Sequence, residues 1–234
     1  MKSFTISICI FCLLTACNET YQLQDTSHLD IADTISIGQQ TYTIEPTSEK
    51  DFNAIKMDEA DTSEKKNIQP DANFVHRNGD TLFLEKTDGN YVQLINCFLD
   101  DDDSFANYTY QMYLDDIDYF VVYAGFYEWY NYCLINRETG KITYTCGSPV
   151  VSPTNQWLMA GNCDLIAQFT FNGFELFKIE KNDLKLIASK ALNNWGPEKI
   201  KWTKSNELLV QQSIFDSTST TETKTAYIKL KAKQ

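Results

Sequence analysis

The sequence predicts an all-β domain made of repeated short antiparallel strands. Aliphatic and aromatic residues recur in short runs separated by Gly, Pro, Asn, Asp and Ser, which is the pattern of strands joined by turns. Hydrophobic residues make up 43% of the 234 residues, enough for one sizeable core. The net charge of -12, from 32 acidic and 20 basic residues, opposes binding to phosphate backbones, so we expect no nucleic-acid partner.

The N-terminus has the layout of an export signal. Lys2 precedes an apolar run at 4–14 that is too short to span a bilayer as a helix. The segment Leu14-Thr15-Ala16-Cys17 resembles the lipobox of bacterial lipoproteins, although a plain secretory signal with a fortuitous cysteine has the same layout. The resemblance implies that the signal peptide 1–16 is removed and that Cys17 carries a diacylglyceryl group and an acylated amine, with palmitate among the acyl chains. These chains would anchor the protein to a membrane.

The residues after Cys17 suggest a cellular location and a domain boundary. In enteric bacteria an aspartate after the lipidated cysteine retains a lipoprotein at the inner membrane, whereas this chain has Asn18. By that resemblance we expect an outer-membrane lipoprotein of the cell envelope, facing the periplasm or the cell surface. Residues 17–33 are polar without periodicity and predict a flexible tether. Residues 34–234 then form a single β-rich domain.

The first part of this domain predicts two strands, a short helix and a loop. Thr and Ser alternate with Ile and Tyr at 34–37 and 41–44, on either side of Gly38. The sequence near 48–60 begins with Ser48 and predicts a short helix. Charged and polar residues at 58–72 predict a loop.

A β-hairpin is predicted around Asp88-Gly89, a turn signal between two apolar runs. A three-residue turn at 87–89 pairs Leu82 with Leu94 and Leu84 with Val92, which places the apolar side chains on one face.

From residue 108 onward short strands recur in groups. Four short strands in about 40 residues are the signature of a propeller blade. The segment 149–160 resembles the passage from the first to the second strand of a TolB- or WD-type blade. The resemblance spans 108–231 and implies a propeller-like fold of about four irregular units, with 34–97 as the first unit. Because four units are the lower limit for closure, an open stack or a β-sandwich fits the same pattern. The predicted strands lie at 108–113, 119–124, 130–136, 142–145, 149–151, 157–161, 174–179, 184–188, 200–202, 208–211 and 226–230.

The exported domain has four cysteines, which in an oxidising compartment form two disulfides or stay free. A two-residue turn at 139–140 would place Cys133 opposite Cys146, close enough to bridge. A three-residue turn at 138–140 would put these two cysteines out of step. The first register gives the better apolar pairing, so we predict a Cys133–Cys146 disulfide, which leaves Cys97 and Cys163 as a second pair by elimination.

The sequence contains none of the common catalytic or nucleotide-binding motifs. His28 and His76 are the only histidines, which opposes a His-dependent triad and a multi-histidine zinc site. The run Asp100, Asp101, Asp102 and Asp103 offers oxygen ligands for Ca²⁺, but it lacks the EF-hand glycine and glutamate, so we interpret it as a solvated acidic loop. We therefore expect a non-catalytic protein without cofactor or metal.

An aromatic cluster after Gly125 supplies the candidate binding residues Tyr127, Trp129 and Tyr130. In a loop these rings could stack on sugars or anchor a protein partner, whereas in a strand they would pack in the core. The predicted function is that of a lipid-anchored binding or scaffold module of the cell envelope, with a protein or glycan ligand. Two other functions fit the sequence: a periplasmic immunity lipoprotein that neutralises a toxin, and a glycan-active enzyme that uses two carboxylates.

Overall fold

The computed structural model describes residues 34–57, 59–99, 104–215 and 222–233. The predicted lipid anchor at Cys17, the tether and the run Asp100–Asp103 lie outside the described residues. Within them the chain is built almost entirely from β-strands, so the predicted all-β class is confirmed. The strands are β1 (Thr34–Ile37), β2 (Gln40–Pro46), β3 (Val75–Asn78), β4 (Thr81–Glu85), β5 (Tyr91–Ile95), β6 (Asn107–Leu114), β7 (Tyr119–Gly125), β8 (Tyr130–Asn136), β9 (Ile142–Thr145), β10 (Pro149–Val151), β11 (Trp157–Asn162), β12 (Gly173–Glu180), β13 (Asp183–Ala191), β14 (Trp195–Trp202), β15 (Leu208–Phe215) and β16 (Thr223–Ala232).

The strands form four antiparallel sheets. Sheet I has the order β3-β4-β5, sheet II β6-β7-β8-β9, sheet III β10-β11-β12-β13, and sheet IV β14-β15-β16-β2-β1. In sheet IV, β2 pairs with β16, with Ile44 opposite Leu230, so both ends of the domain lie in one sheet. The expectation that 34–97 forms a separate first unit is therefore wrong for β1 and β2. Their apolar side chains, such as Tyr42, complete the core of the last sheet instead.

The four sheets pack face to face in chain order, and each contact buries its own hydrophobic cluster. Sheet II has both faces covered because alternate residues of a strand point to opposite sides. Phe120 and Ile135 contact sheet I, whereas Tyr119 and Leu134 contact sheet III. The third cluster lies between sheets III and IV and contains Met159. Among the described residues no hydrophobic cluster joins sheet I to sheet IV, so the four sheets meet in three contacts.

The connections between strands divide the molecule into two ends. At the end that we call the turn end, connections contain two to five residues, as in the turn 203–207 between β14 and β15. At the opposite end, the loop end, three connections are longer: 96–106, 163–172 and 216–222. The longest segment, 47–74 with both helices, also leaves β2 at this end and runs to the start of β3. Neighbouring sheets have their turn-end connections on the same side of the molecule. The backbone N–H of Thr87 donates to the carbonyl of Arg137 between sheets I and II at the turn end.

The predicted helix and the first hairpin are both confirmed. Helix α1 (Glu49–Ala54) begins after Ser48, whose hydroxyl accepts a hydrogen bond from the backbone N–H of Asp51, and it buries Phe52 against the protein. In the hairpin, Leu82 lies opposite Leu94 and Leu84 opposite Val92, as predicted. Neither α1 nor any other helix in the described part of the chain has the length and apolar character needed to cross a membrane.

The prediction of a loop over 58–72 is wrong, because helix α2 (Glu64–Ile68) and a 3₁₀ turn at Gln69–Asp71 lie there. Long-range contacts hold this segment. The Glu64 carboxylate binds the guanidinium of Arg77 and accepts from the backbone N–H of Tyr110 at 2.7 Å. His76, which the sequence placed in a polar stretch, lies in strand β3 and stacks on Phe83 with ring centroids 4.8 Å apart.

The register predicted for the β8–β9 hairpin is also wrong. Cys133 lies opposite Tyr144, and Ile135 opposite Ile142, so the connecting loop is longer than either turn considered. The cause is the side chain of Asn136, whose Oδ1 accepts from the backbone N–H and the hydroxyl of Thr139 and so lets the chain continue to Gly140 before it reverses. As a result Cys133 and Cys146 do not face each other, and Cys97, Cys133, Cys146 and Cys163 are all free thiols in the structure.

Candidate functional site

Exposed large apolar side chains concentrate at the loop end. No described connection at the turn end carries one. The examples outside the connections lie within strands: Tyr91, Ile95, Tyr144, Leu186 and Ile187. Concentrations of exposed apolar side chains are typical of interaction sites. The exposed fractions in the loop-end connections are 56% for Phe98, 63% for Leu99, 58% for Tyr127, 47% for Trp129, 58% for Ile166 and 64% for Phe169.

The connection 126–129 between β7 and β8 presents two of the predicted aromatic residues to solvent. Phe126 packs inward beside Tyr108 and stacks under Trp129, with ring centroids 3.9 Å apart. The backbone N–H of Phe126 donates to the carbonyl of Trp129 at 2.8 Å and closes the loop. The second face of the Trp129 ring and the side chain of Tyr127 are therefore free to meet a ligand, on a loop whose shape is fixed beforehand.

The connection 163–172 presents a second pair of apolar residues, which the sequence analysis did not single out. The Asp164 carboxylate accepts hydrogen bonds from the backbone N–H groups of Gln168 and Thr170, and Leu165 is buried. Burial alone would raise the pKa of Asp164, but these hydrogen bonds outweigh it and lower the pKa. The loop is thus internally braced, and it holds Ile166 outward.

Tyr130 joins these two loops. It is the third predicted aromatic residue, but it is half-buried, and its hydroxyl donates to Oδ1 of Asn162. The Asn162 amide in turn donates to the hydroxyl of Thr170 and to the carbonyl of Phe171. Burial, with neighbouring Tyr132, raises the pKa of Tyr130 to about 12. Tyr130 therefore positions the loop end as a neutral hydrogen-bond donor, whereas Tyr127 and Trp129 are available to contact a ligand.

A cleft of about 300 Å³ lies beneath these loops, between β6, β10, β11 and β14. Two glycines allow the connection 146–148 to approach β11, since a Cβ on Gly147 would lie only 2.0 Å from the carbonyl oxygen of Gly161. The walls mix polar and apolar groups and include charges of both signs, with Lys199 3.6 Å from Glu59. Its lining includes Gln111, Tyr130, Tyr132, Ser148, Asn162 and Glu198.

Two cysteines near the cleft lie beside carboxylates. The backbone N–H of Cys146 donates to Glu175 at 2.8 Å, and burial together with the Glu175 charge raises the pKa of the Cys146 thiol. Burial and the Glu198 charge raise the pKa of Cys163 to about 12. Because the thiolate is the nucleophile, both side chains are poorly reactive at neutral pH.

The described residues contain no group of three or more His, Cys, Asp or Glu side chains that could hold a metal ion. The calcium candidates Asp100–Asp103 lie outside this part of the chain. The loop end offers exposed apolar and aromatic side chains, with an exposed carboxylate at Glu128.

The apolar loop residues that sequence reasoning missed had one signal in common. Phe98, Leu99, Ile166 and Phe169 lie in connections longer than a turn, yet no alternating pattern pairs them with a strand. Large apolar residues in such a position are either buried or exposed for a purpose, and only the fold decides between these outcomes.

No family model matches the chain, and no curated protein matches it. Among solved structures, the chain is similar to a protein from Bacteroides uniformis described as a "putative 6-phosphogluconolactonase". The TM-score is 0.30 and the identity 9%, over 83% of this chain and 55% of the other. The chain thus spans about half the length of that protein.

Proposed function

We propose that this protein is a lipid-anchored binding module of the bacterial cell envelope, which binds its partner through the loop end and catalyses no reaction. The observation that carries the proposal is the one-sided distribution of exposed apolar residues. Six of them lie on loop-end connections, and none lies in a described turn-end connection. A folded domain gains no stability from such exposure, because burying apolar surface contributes about 25 cal/mol per Å². A partner that covers it supplies the missing burial.

Two further observations support this function. The segment ending at Cys17 resembles a lipobox, so the domain would be tethered rather than free. The two thiols near the cleft are held protonated by their raised pKa values, which argues against a cysteine nucleophile there. We therefore assign the loop end to recognition.

The binding face is tested by site-directed photocrosslinking in living cells of the native bacterium. A benzophenone amino acid is placed in the full-length protein at Trp129 and, as a matched control, at Tyr144. Both side chains are about half exposed, at 47% and 55%, but Tyr144 lies within strand β9. We expect discrete adducts from position 129 only. Equal adducts from both positions, or none from either, would contradict the proposal.

The anchor is tested separately with the variant Cys17→Ser. Only a thiol accepts the diacylglyceryl group, so radiolabelled palmitate should mark the wild-type protein and not the variant. Equal labelling of both proteins would refute the lipoprotein assignment while leaving the binding face untouched.

A further inference from the structure

We infer that a pocket at the turn end, between sheets III and IV, binds a small neutral ligand that contains aromatic rings and one hydrogen-bonding group. The pocket has a volume of about 400 Å³. It lies where β1, β2, β11, β14 and β16 have their turn-end termini. It shares no residue with the loop-end connections or with the cleft beneath them, so the inference goes beyond the proposed function.

The walls of this pocket are mainly aromatic and aliphatic. Trp157 begins β11, Trp202 ends β14, and Tyr42 lies on β2. Leu176 and Ile187 add aliphatic surface from sheet III. Sites for small molecules are typically lined in this way, with a few polar groups that fix the ligand's orientation. The aromatic walls favour a ligand with rings over a hydrocarbon chain, because stacked or edge-to-face ring pairs add to the gain from burial.

The volume of the pocket sets the size of the ligand. An apolar cavity of about 150 Å³ is large enough to bind one benzene molecule. The pocket between sheets III and IV has more than twice that volume. A ligand with two fused rings therefore fills it better than a single ring, and a better filled pocket leaves fewer wall atoms without contacts.

The hydroxyl of Tyr42 provides a polar contact for such a ligand. Tyr42 is only 5% exposed, and its hydroxyl has no hydrogen-bond partner among the described residues. The hydroxyl is nevertheless not sealed from solvent, so it faces open space, and Tyr42 lines the pocket. Burial raises the pKa of Tyr42, so the group stays neutral and can donate or accept. A ligand that hydrogen-bonds to it satisfies a polar group that the fold leaves unpartnered.

The lining of the pocket favours a neutral ligand over a charged one, because no Asp, Glu, Lys, Arg or His of the described chain belongs to it. Charged residues do adjoin lining residues in sequence. Glu207 and Lys231 pair with each other at 4.0 Å, and Lys233 is exposed. Glu175 and Lys201 follow the alternation of their strands and point to the opposite faces. A charged ligand would therefore lose hydration in the pocket without meeting a counter-charge.

The test is photolabelling of the full-length protein with a neutral naphthyl diazirine, in a total lysate of the native bacterium that retains its membranes. We expect saturable labelling that mass spectrometry maps to peptides lining the pocket and that excess 2-naphthol removes. The anion 2-naphthalenesulfonate has the same two rings and should compete at least about tenfold less effectively.

Two matched variants locate the site. Ile187 and Leu186 are neighbours on β13 and are 40% and 50% exposed, but only Ile187 lines the pocket. Ile187→Asp should lower the labelling by roughly fivefold or more, because it places a charge in the apolar wall, whereas Leu186→Asp should label like the wild type.

A third variant, Tyr42→Phe, keeps the ring that packs in the core and removes only the hydroxyl. Competition by 2-naphthol should then weaken about three- to tenfold. Competition by naphthalene, which has no hydrogen-bonding group, should not change.

Several outcomes would overturn the inference: labelling that does not saturate, equal labelling of the two aspartate variants, sulfonate competition as strong as that of 2-naphthol, or competition by 1-decanol but not by 2-naphthol. Unchanged 2-naphthol competition in Tyr42→Phe would also overturn it, and this result remains decisive if Ile187→Asp does not fold. None of these outcomes bears on the binding face at the loop end, with which the pocket shares no residue.

Discussion

The two ends of the molecule are built by different physical means. At the turn end, Arg137 lies over the Phe74 ring at 4.3 Å and donates to the carbonyl of Glu85, and Lys141 pairs with Asp183 across sheets II and III. These contacts join neighbouring sheets directly. At the loop end, the connections are held mainly by hydrogen bonds within each loop and by the Tyr130–Asn162 contact. The comparison shows one scaffold whose short turns lock the sheets and whose long loops present side chains outward.

The largest expected effect comes from the close approach of strands beneath the loop end. Gly147→Ala would place a methyl group 2.0 Å from the backbone oxygen of Gly161, so the strands must separate. We expect a loss of about 3 kcal/mol or more in the free energy of unfolding, measured by urea titration.

The matched variant at the turn end is Gly140→Ala, at a residue with φ of 74°. Its new methyl group would meet the side chains of Lys86 and Val92 at 3.2 Å, not backbone, and the left-handed conformation costs roughly 1–2 kcal/mol. Equal losses in the two variants would show that the backbone is no more tightly packed at the loop end than at the turn end.

The next effect is a loss of stability in alkali that involves the loop-end thiols. Because burial raises the pKa of Cys146 and Cys163 in the fold from a reference of 9.0, their contribution is fully present below pH 9. It is lost as pH rises toward the folded pKa, which for Cys163 is about 12. In this pH range, each thiol that ionises only on unfolding lowers the free energy of unfolding by about 1.4 kcal/mol per pH unit.

The double variant Cys146→Ala and Cys163→Ala separates this ionisation from packing. At pH 7 the difference in the free energy of unfolding between the variant and the wild type, measured by urea titration, gives the stability lost through poorer packing. At pH 10 the variant should recover about 3 kcal/mol of that difference. A difference between the proteins that is the same at both pH values would contradict the role assigned to the thiols.

A smaller effect is expected when one tyrosine hydroxyl is removed at each end of the molecule. Tyr130→Phe leaves Oδ1 of Asn162 without its donor, and Asn162 is only 5% exposed, so we expect a loss of about 1–3 kcal/mol. Tyr113→Phe removes the same group from Asp118 at the turn end, where the carboxylate is partly exposed and water replaces the donor. Its cost should be below about 1 kcal/mol.

Hydrogen exchange shows which part of the protein Tyr130→Phe destabilises. Amide protection should fall across 163–172 in Tyr130→Phe, because Asn162 holds that loop. Protection that falls throughout sheet II instead would mean that Tyr130 supports the core rather than the loop end.

The sequence predicted local features better than long-range ones. The Asp88-Gly89 turn and its register were predictable because Gly89 takes a φ of 80° and the alternating residues leave one apolar face. The bounds of β8 and β9 were also correct, but their register depended on the Asn136 side chain, which no strand pattern reveals. Helix α2 was missed because its contacts, from Glu64 to Arg77 and Tyr110, join residues distant in sequence.

The candidate site could be predicted only where the local sequence marks its residues. Tyr127 and Trp129 stood out as aromatic residues next to a glycine, and both are exposed. Tyr130, grouped with them by adjacency, turned inward because its position opposite Gly125 starts strand β8. Ile166 and Phe169 required the fold, since only the bracing by Asp164 shows that their loop is ordered with these side chains outward.

The smallest expected effect tests whether packing and hydrogen bonds alone hold the sheets together near Cys146. All four thiols are free, and Cys133 lies opposite Tyr144 rather than Cys146. A Cys133–Cys146 disulfide would close a loop of about 14 residues and stabilise the fold by about 3 kcal/mol. Reduction would then lower the melting temperature by roughly 6–12 °C, at 2–4 °C per kcal/mol for a domain of this size. We expect instead that dithiothreitol changes the melting temperature by less than about 1 °C, and that thiol titration of the unfolded domain, purified without reductant, finds four free groups. A drop of several degrees on reduction, with Cys133 joined to Cys146 in a non-reducing peptide map, would show that the β8–β9 register described here is wrong.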